Sequence, residues 1–150
     1  MPRKKKASRR SSCPINVSLE ILGDRWSLLV IRDLMFRGFR TYKELMDSGE
    51  RIATNILADR LHRLEQCGII RSEEDAADRR KLTYRLTAKG MDLAPVLVEL
   101  ILWGAHHEDT AAPPALLRKM EKNRAEFLSE LRNRWAAGES HSVTPKRDSR

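Results

Sequence analysis

The sequence is short of aromatic residues, cysteines and long apolar runs, and each shortage excludes a class of protein. Aromatic residues make up 5% of the 150 residues, so a core built from this chain must be mainly aliphatic. Two cysteines, Cys13 and Cys67, cannot form the disulfide framework of a small secreted protein, and we expect a cytoplasmic location. Pro95 and Glu99 interrupt the longest apolar run, at 93–103, which is far short of the roughly 20 residues that cross a bilayer. We therefore expect no membrane partner and, because no apolar stretch follows the basic start, no secretory signal.

Catalytic motifs are missing as well. The sequence has no glycine-rich phosphate loop and no nucleophile elbow. His106 and His107 are adjacent, so on a helix they point in different directions, and no Cys or His cluster lies near them in sequence. We therefore predict that the protein is not an enzyme and that it uses neither a metal nor another cofactor.

The positive charge is concentrated at the N-terminus. Residues 1–12 contain six Lys or Arg and no acid, so subtracting these six from the net charge of +8 leaves +2 for residues 13–150. Such a segment is too polar to pack, and we predict a disordered basic arm over 1–12. The arm could follow DNA phosphates or could simply be solvated, so evidence for nucleic-acid binding must come from the rest of the chain.

Four helices are predicted in the first half of the folded part. Apolar spacing indicates a helix over 14–22 that Gly23 stops in a left-handed conformation, and Asp24 can cap a second helix to about Phe36. Thr41 and Glu44 form a capping-box pattern at the start of a short third helix. A fourth helix over 54–67 carries a buried stripe of Leu57, Leu61 and Leu64. Two short helices joined by the turn at 47–53 are typical of a helix-turn-helix.

The periodicity then changes to that of strands. A strand is predicted over 69–73, and apolar Leu82, Tyr84 and Leu86 alternate with polar residues in a second strand. A hairpin directly after a helix-turn-helix is a wing. Beyond it we predict one apolar helix from Thr87 to about His106, kinked at Pro95, and one amphipathic helix over 115–135.

These elements predict a mainly helical α+β fold with a small β-hairpin wing, that is, a winged helix-turn-helix flanked by N- and C-terminal dimerisation helices. The expected division is a basic arm at 1–12, the winged domain at 13–107, a C-terminal dimerisation helix at 108–136 and a disordered tail at 137–150.

About 95 residues of the chain resemble one family of regulators. Each matching segment is weak evidence alone, but in this order and spacing the segments together are specific to one family. The resemblance is to the HxlR-type winged-helix regulators, relatives of the MarR type, and implies a dimeric transcription factor. The segments are CP at 13–14, LGDRW at 22–26, RTYKEL at 40–45, IATNILADRL at 52–61, LE at 64–65, GII at 68–70, YRLT at 84–87, KG at 89–90, LAPVL at 93–97 and WG at 103–104.

The fourth helix is the expected DNA-reading helix. The major groove admits one helix, and only its solvent side reaches base edges. Asparagine can pair with adenine, and a small residue can contact a thymine methyl group. The alternative is a face that is merely solvated. The candidate base-reading residues are Thr54, Asn55, Ala58, Asp59 and His62.

Phosphate contacts are expected from cations and helix starts around this helix. By resemblance to MarR-type wings, Arg80 would probe the minor groove and Asp78 would orient it, although a charged hairpin tip could also be only solvated. Asp59 could instead orient Arg60 or Arg63. The candidates for phosphate or minor-groove contact are Arg40, Thr41, Tyr42, Lys43, Arg51, Arg60, Arg63, Asp78, Arg79, Arg80 and Lys81.

Recognition of a double-stranded operator by so short a helix favours a homodimer that reads two half-sites. The chain has more apolar helix surface than one winged domain covers. An alternative use of this surface is a small-molecule effector pocket lined by Trp103, Leu97 and Met91. The candidate dimer residues are Ile15, Leu19, Leu97, Leu100, Trp103, Leu117, Met120, Phe127 and Leu131.

Cys13 matches the cysteine that opens the family pattern and that senses oxidants or electrophiles in some members. A helix start with Arg9 and Arg10 nearby favours a thiolate, but an inert small residue is an equal alternative. Cys67, at a helix end, is expected to be structural. Two positions depart from the pattern: Ala53 replaces a serine cap, so that Thr54 could take over capping, and Arg51 stands where glycine commonly precedes Ile52.

The sequence does not distinguish an activator from a repressor. A winged helix used for protein contacts or for non-specific DNA architecture is the rival hypothesis. We expect a regulator that acts as a repressor on a palindromic operator. We also expect it to respond to an oxidant, an electrophile or a small molecule.

Overall fold

The computed structural model describes residues 9–138. Residues 1–8, which hold most of the predicted basic arm, and residues 139–150, which hold most of the predicted tail, lie outside the described part. The described chain is mostly helical with one two-stranded antiparallel hairpin, as predicted. Its elements are α1 (Pro14–Leu22), α2 (Ser27–Phe36), α3 (Tyr42–Met46), α4 (Thr54–Gln66), β1 (Ile70–Glu74), β2 (Leu82–Leu86), α5 (Ala88–Met91), α6 (Ala94–His107), α7 (Pro114–Lys122) and α8 (Arg124–Ala136).

The hairpin pairs β1 with β2 in the register Ile70 opposite Leu86 and Glu74 opposite Leu82. The segment before α3 pairs briefly with β2 in an isolated antiparallel bridge between Thr41 and Thr83. Beside this bridge, the Tyr84 amide donates to the Arg40 carbonyl at 2.7 Å. The wing is therefore attached to the start of the helix-turn-helix.

The start of α2 differs from the prediction. The Asp24 carboxylate accepts hydrogen bonds from the amides of Trp26 at 2.8 Å and Ser27 at 2.9 Å. The helix itself begins at Ser27, three residues after Asp24. Gly23 has φ −78°, and the predicted left-handed stop at this residue is wrong.

Both long C-terminal helices of the prediction are divided in two. α5 and α6 are separated at Asp92 and Leu93, and Pro95 lies in the first turn of α6. A proline there costs no helical hydrogen bond, so it begins a helix instead of kinking one. The predicted helix over 115–135 breaks at Asn123, whose φ of −124° and ψ of 40° are not helical.

The core is mainly aliphatic and continuous from α2 to α8. Ile31, Leu57 and Val98 are fully buried, and Phe36 stacks on Phe127 with ring centroids 6.3 Å apart. The terminal helices α7 and α8 thus close the core of their own protomer. Four predicted dimer residues prove to be core residues of one chain, which corrects their assignment: Leu97, Met120, Phe127 and Leu131.

Candidate nucleic-acid interface

The α4 helix presents a polar face to solvent because its apolar face is anchored in the core. Leu57, Leu61 and Leu64 are buried at the spacing that the sequence predicted. All five candidate base-reading residues are exposed together with Arg63 and Gln66 on the other side. A helix held in this way can enter a groove without any change in its packing.

The α4 N-terminus has no side-chain cap. Ala53 occupies the capping position, and neither it nor Thr54 supplies a side-chain acceptor. The first helical hydrogen bond runs from the Leu57 amide to the Ala53 carbonyl at 2.9 Å. The amides of the first turn therefore point outward without a helical acceptor, as at every helix start, and are available to a phosphate.

The other end of α4 is firmly closed. Gly68 has φ +72°. Its amide donates to the Glu65 carbonyl, and the Ile69 amide donates to the Leu64 carbonyl at 2.9 Å, so the helix ends in a Schellman motif. The Glu65 carboxylate then accepts both the amide (3.0 Å) and the hydroxyl (2.6 Å) of Ser72 on β1. These bonds fix the wing relative to α4.

An ion-pair network that the sequence pattern did not predict holds the turn before α4. Arg32 donates to Glu50 at 2.8 Å, and Arg37 donates to the Ser48 carbonyl at 2.9 Å. Asp33, which is buried, lies 2.8 Å from Arg32 and 3.3 Å from Arg37. The spacing of Asp33 and Arg37 along a helix is a usable signal for one pair, whereas the contact with Glu50 depends on the tertiary fold.

Burial raises the pKa of Asp33 even though both arginines favour its ionised form. The hydrogen bond from Arg32 lowers the pKa of Glu50. The network therefore keeps Glu50 charged and attached to α2, which fixes the residue immediately before Arg51.

Arg51 has an unusual backbone conformation. Its φ is +59°, in the left-handed region, and Gly49 nearby has φ +91°. Glycine, which the family pattern commonly has here, adopts this conformation without strain. Its exposed side chain stands just before the outward amides of α4, as a phosphate contact requires.

Arg60 is half-buried and pairs with two acids of its own chain, and its role as a phosphate contact stays a prediction. Its Nε lies 2.9 Å from Asp24 Oδ1, and its guanidinium also pairs with Asp59. Burial raises the pKa of Asp24, but hydrogen bonds from Ser27 and Trp26 and the charge of Arg60 outweigh burial and lower it overall. Asp59 thus pairs with Arg60, one of the two arginines that it could orient, and Arg63 stays exposed.

The start of α3 is built as the sequence predicted. The Thr41 hydroxyl accepts from the Glu44 amide at 3.2 Å, and the Glu44 carboxylate accepts from the Thr41 amide at 3.0 Å. Tyr42 donates its hydroxyl to the Thr54 carbonyl at 2.8 Å, so it ties α3 to the first residue of α4. Lys43 is exposed beside them.

Arg40 is turned partly away from this edge. Its Nη2 donates to the Gly138 carbonyl at 3.0 Å, beyond the end of α8. Burial and the neighbouring positive charge of Arg85 lower the pKa of Arg40. No local pattern predicts this contact, because 98 residues separate its partners.

The wing tip carries an oriented arginine. Arg80 donates from Nε to Asp78 Oδ1 at 3.1 Å while its side chain is 90% exposed. The hydrogen bonds from Arg80 lower the pKa of Asp78, so the aspartate is charged when it aligns the guanidinium. Arg79 and Lys81, on either side of Arg80 in sequence, are exposed. Leu82 is 44% exposed, although the predicted alternation of β2 places its side chain on the buried face.

An apolar surface remains uncovered at the N-terminal and α6 helices. α1 has no buried residue, and Ile15 is 71% exposed, with Leu19 also exposed. On α6, Leu100 and Trp103 are exposed, whereas Leu117 on α7 is only half-buried against the core.

The three residues of the predicted effector pocket do not line one cavity. Met91 and Leu97 are buried in the core, while Trp103 is 62% exposed and lies beside the His107 ring. Among residues 9–138, no three metal-ligating side chains gather in one place, and no helix there is long and apolar enough to span a bilayer. Cys13 is exposed, and the Cys67 carbonyl accepts from Lys89 at 2.7 Å.

Comparison with known proteins agrees with this geometry. An uncharacterised helix-turn-helix transcriptional regulator of Synechocystis is 36% identical over 88 residues, which are 59% of this chain and 64% of the relative. The chain therefore spans slightly less than two thirds of that relative's length.

Two solved structures are similar. PA1607, described as a transcription factor, is 34% identical with a TM-score of 0.63, covering 70% of this chain and 72% of the other. The redox regulator HypR in its oxidised form is 27% identical with a TM-score of 0.56, covering 65% and 100%. The model of the HxlR-like helix-turn-helix family matches residues 21–112, more than half of the sequence. This match, with the outward polar helix and its attached wing, shows that the chain belongs to the HxlR-like helix-turn-helix family.

Proposed function

We propose that this regulator is a sequence-specific repressor that binds a palindromic operator as a homodimer. The observation that carries the proposal is the exposed α4 face bearing Asn55 and Ala58, with the exposed Arg51 directly before this helix and the oriented Arg80 at the tip of the wing that follows it. One helix reads only a few base pairs, so two copies would read half-sites about one helical turn of DNA, roughly 34 Å, apart.

Base reading is tested with Asn55→Ala and the matched control Gln66→Ala, at the opposite end of the same exposed face. We expect Asn55→Ala to weaken binding to the protein's own promoter fragment about tenfold or more, because a bidentate base contact contributes ~1–3 kcal/mol of discrimination. Binding to unrelated DNA should not change, and Gln66→Ala should have a smaller effect. Equal affinities of wild type and Asn55→Ala on both DNAs would refute the assignment.

Specificity itself separates a regulator from an architectural protein. A regulator should prefer its operator over competitor DNA by roughly a thousandfold or more, whereas an architectural protein shows little preference. Transcription from the promoter in vitro should then decrease as the protein is added. An increase would make it an activator and would leave the DNA-reading assignment intact.

The wing is tested by Arg80→Ala and Arg79→Ala, which remove the same charge from neighbouring positions. If Arg80 inserts into a narrow minor groove, its loss should weaken binding most where the flanks of the operator are A·T-rich. Arg79→Ala should act equally on all flanking sequences. Identical losses for the two variants would show that the wing contributes only general charge.

The dimer is proposed to form through the exposed residues of α1 and α6. Leu19→Glu places a charge in this surface and should convert the dimer to monomer in sedimentation at micromolar concentration. Ala76→Glu, in the exposed hairpin loop, provides the same charge away from the surface and should leave the dimer intact. A monomeric wild type would refute this part of the proposal.

A redox response is a second element of the proposal, because HypR is a redox regulator and Cys13 is exposed at the start of α1. Cys13→Ser should abolish any loss of operator binding that an oxidant or electrophile causes. Cys67→Ser should not, since Cys67 is partly buried at the end of α4. A response that survives Cys13→Ser would exclude this sensor.

A further inference from the structure

The end of helix α8 lies at the junction of the wing and the helix-turn-helix. Helices α7 and α8 follow residues 21–112, the part of the chain that matches the family model, so their role does not follow from that match. Earlier in α8, Phe127 and Leu131 are buried in the core, which fixes the helix to the protomer. The last turn has partners of another kind, namely polar groups of β2 and of the segment before α3.

Trp135 is bonded to β2 through both its side chain and its main chain. Its Nε1 donates to the Leu86 carbonyl at 2.9 Å, and its own carbonyl accepts from Arg85 Nη2 at 3.0 Å. Arg85 and Leu86 are neighbours in the strand, and Trp135 is half-buried against them. One residue of α8 therefore holds the base of the wing by two hydrogen bonds.

A third hydrogen bond joins the segment before α3 to the same helix end. Arg40 Nη2 donates to the carbonyl of Gly138, whose φ of +73° ends the helix, at 3.0 Å. Burial and then the charge of Arg85 lower the pKa of Arg40, so the two guanidinium groups are close enough to repel each other. The last carbonyls of a helix lack helical donors and carry the negative end of its dipole, which offsets this repulsion.

The residues that α8 contacts belong to the proposed DNA-binding elements. The Arg40 amide donates to Glu44 of the α3 capping box at 2.8 Å, and its carbonyl accepts from Tyr84 of β2 at 2.7 Å. At strand spacing β2 is about 13 Å long, so a tilt of about 10° at its base would move its other end by about 2 Å. That end leads directly into the tip that carries Arg80.

We propose that the last turn of α8 is a positioning element for the wing, with Trp135 as its central residue. Glu65 of α4 holds β1 through Ser72, and Trp135 holds β2, so each strand of the hairpin has its own anchor. Two anchors on two strands set the angle at which the hairpin leaves the helix-turn-helix, and thereby where Arg80 meets DNA. The effect on DNA binding rests on the proposed function, whereas the anchoring of the wing does not.

The anchoring is tested by hydrogen exchange of the full chain without DNA. Trp135→Phe keeps an aromatic ring and removes the Nε1 donor. The amides of Tyr84 and Thr87, at the base of the wing, should exchange about fivefold faster, the equivalent of one ordinary hydrogen bond. The amide of Cys67, at the end of α4, should keep its rate. Unchanged rates at the wing, or equal acceleration in both places, would overturn the positioning role.

Arg85→Met tests the second hydrogen bond, because methionine keeps an unbranched apolar stem but cannot donate. Arg71→Met is the matched control, since Arg71 lies directly opposite Arg85 in the hairpin, loses the same charge and is exposed in an ion pair with Glu73. Only Arg85→Met should accelerate exchange at the base of the wing. Equal acceleration by the two variants would show that the hairpin responds to its charge alone, and would overturn the contact with α8.

The effect on DNA is tested by a double-mutant cycle on the promoter fragment. Trp135→Phe alone should weaken operator binding about threefold, and Arg80→Ala should then cost about threefold less than it does in the wild type. Arg71→Met should leave the cost of Arg80→Ala unchanged. Additive losses for Trp135→Phe and Arg80→Ala would overturn the positioning of Arg80. If the protein does not bind DNA, or if Arg80→Ala has no effect, the proposed function fails at that point, while the exchange rates still decide the anchoring.

Discussion

Replacing Arg51 by glycine should make the protein more stable and, at the same time, worse at binding DNA. A non-glycine residue in the left-handed region, where Arg51 has φ +59°, costs about 1–2 kcal/mol. Glycine removes this strain, but it also makes the unfolded chain more flexible, which costs about 0.4–1 kcal/mol. The net gain in the free energy of unfolding should therefore be about 0.5–1 kcal/mol.

The assay is urea denaturation at one fixed protein concentration, since the stability of the proposed dimer would depend on concentration. Arg51→Ala is the matched control, because it removes the same side chain but keeps the strain. The glycine variant should unfold at a higher urea concentration than both wild type and the alanine variant. In salt titrations of operator binding, both variants should lose about one unit of slope if Arg51 contacts a phosphate. A glycine variant no more stable than the alanine variant would refute the strain argument.

Two further predictions concern Asp24 and the glycines. Asp24→Asn keeps the cap but removes the charge beside Arg60, so it should lower stability by about 1 kcal/mol at pH 7. Because folding lowers the pKa of Asp24 below its ordinary 3.8, this contribution is present above pH 3.8 and lost as the pH falls through the folded value. Denaturation midpoints of the two proteins should therefore converge in acid, and a constant difference would contradict the assignment. Gly90→Ala should lower the free energy of unfolding by about 2 kcal/mol or more, since its new Cβ would lie 2.3 Å from the Ile69 carbonyl oxygen. Gly104→Ala is the matched control, because its Cβ would meet open space, and it should raise the free energy of unfolding by up to about 1 kcal/mol. Equal thermal midpoints for these two variants would show that the close approach at Gly90 relaxes at little cost.

The elements that the sequence predicted correctly are those whose signals are local. The capping box of Thr41 and Glu44, the stop at Gly68 and the leucine stripe of α4 each depend on residues a few positions apart, and all three are present. The pairing of Asp78 with Arg80, which the family resemblance implied, also joins residues two positions apart. The centre of the candidate site is therefore predictable from short stretches of the sequence alone.

The errors arose where a local pattern has two structural outcomes. The stripe that includes Met120, Phe127 and Leu131 shows only that one face is buried, not which chain buries it, and the fold buries it within the protomer. Likewise a proline is tolerated in a first turn and disruptive in a helix interior, so Pro95 did not reveal that a new helix begins at Ala94.

Long-range contacts leave no local signal in the sequence. Arg60 has the type and position of a phosphate contact, and only the fold brings Asp24 to within 2.9 Å of it. The same holds for Arg40, which reaches the end of α8, and for the network around Glu50.

The missing side-chain cap at Ala53 has a consequence for the dynamics of the first turn of α4. Without a capping acceptor, the amides of Asn55 and Ile56 should exchange with deuterium faster than those in the closed C-terminal half of the same helix. A bound phosphate would supply the absent acceptor, so protection of these few amides would report directly on the occupied state. The part of the helix that is held most loosely in the free protein is thus the part that DNA itself would complete.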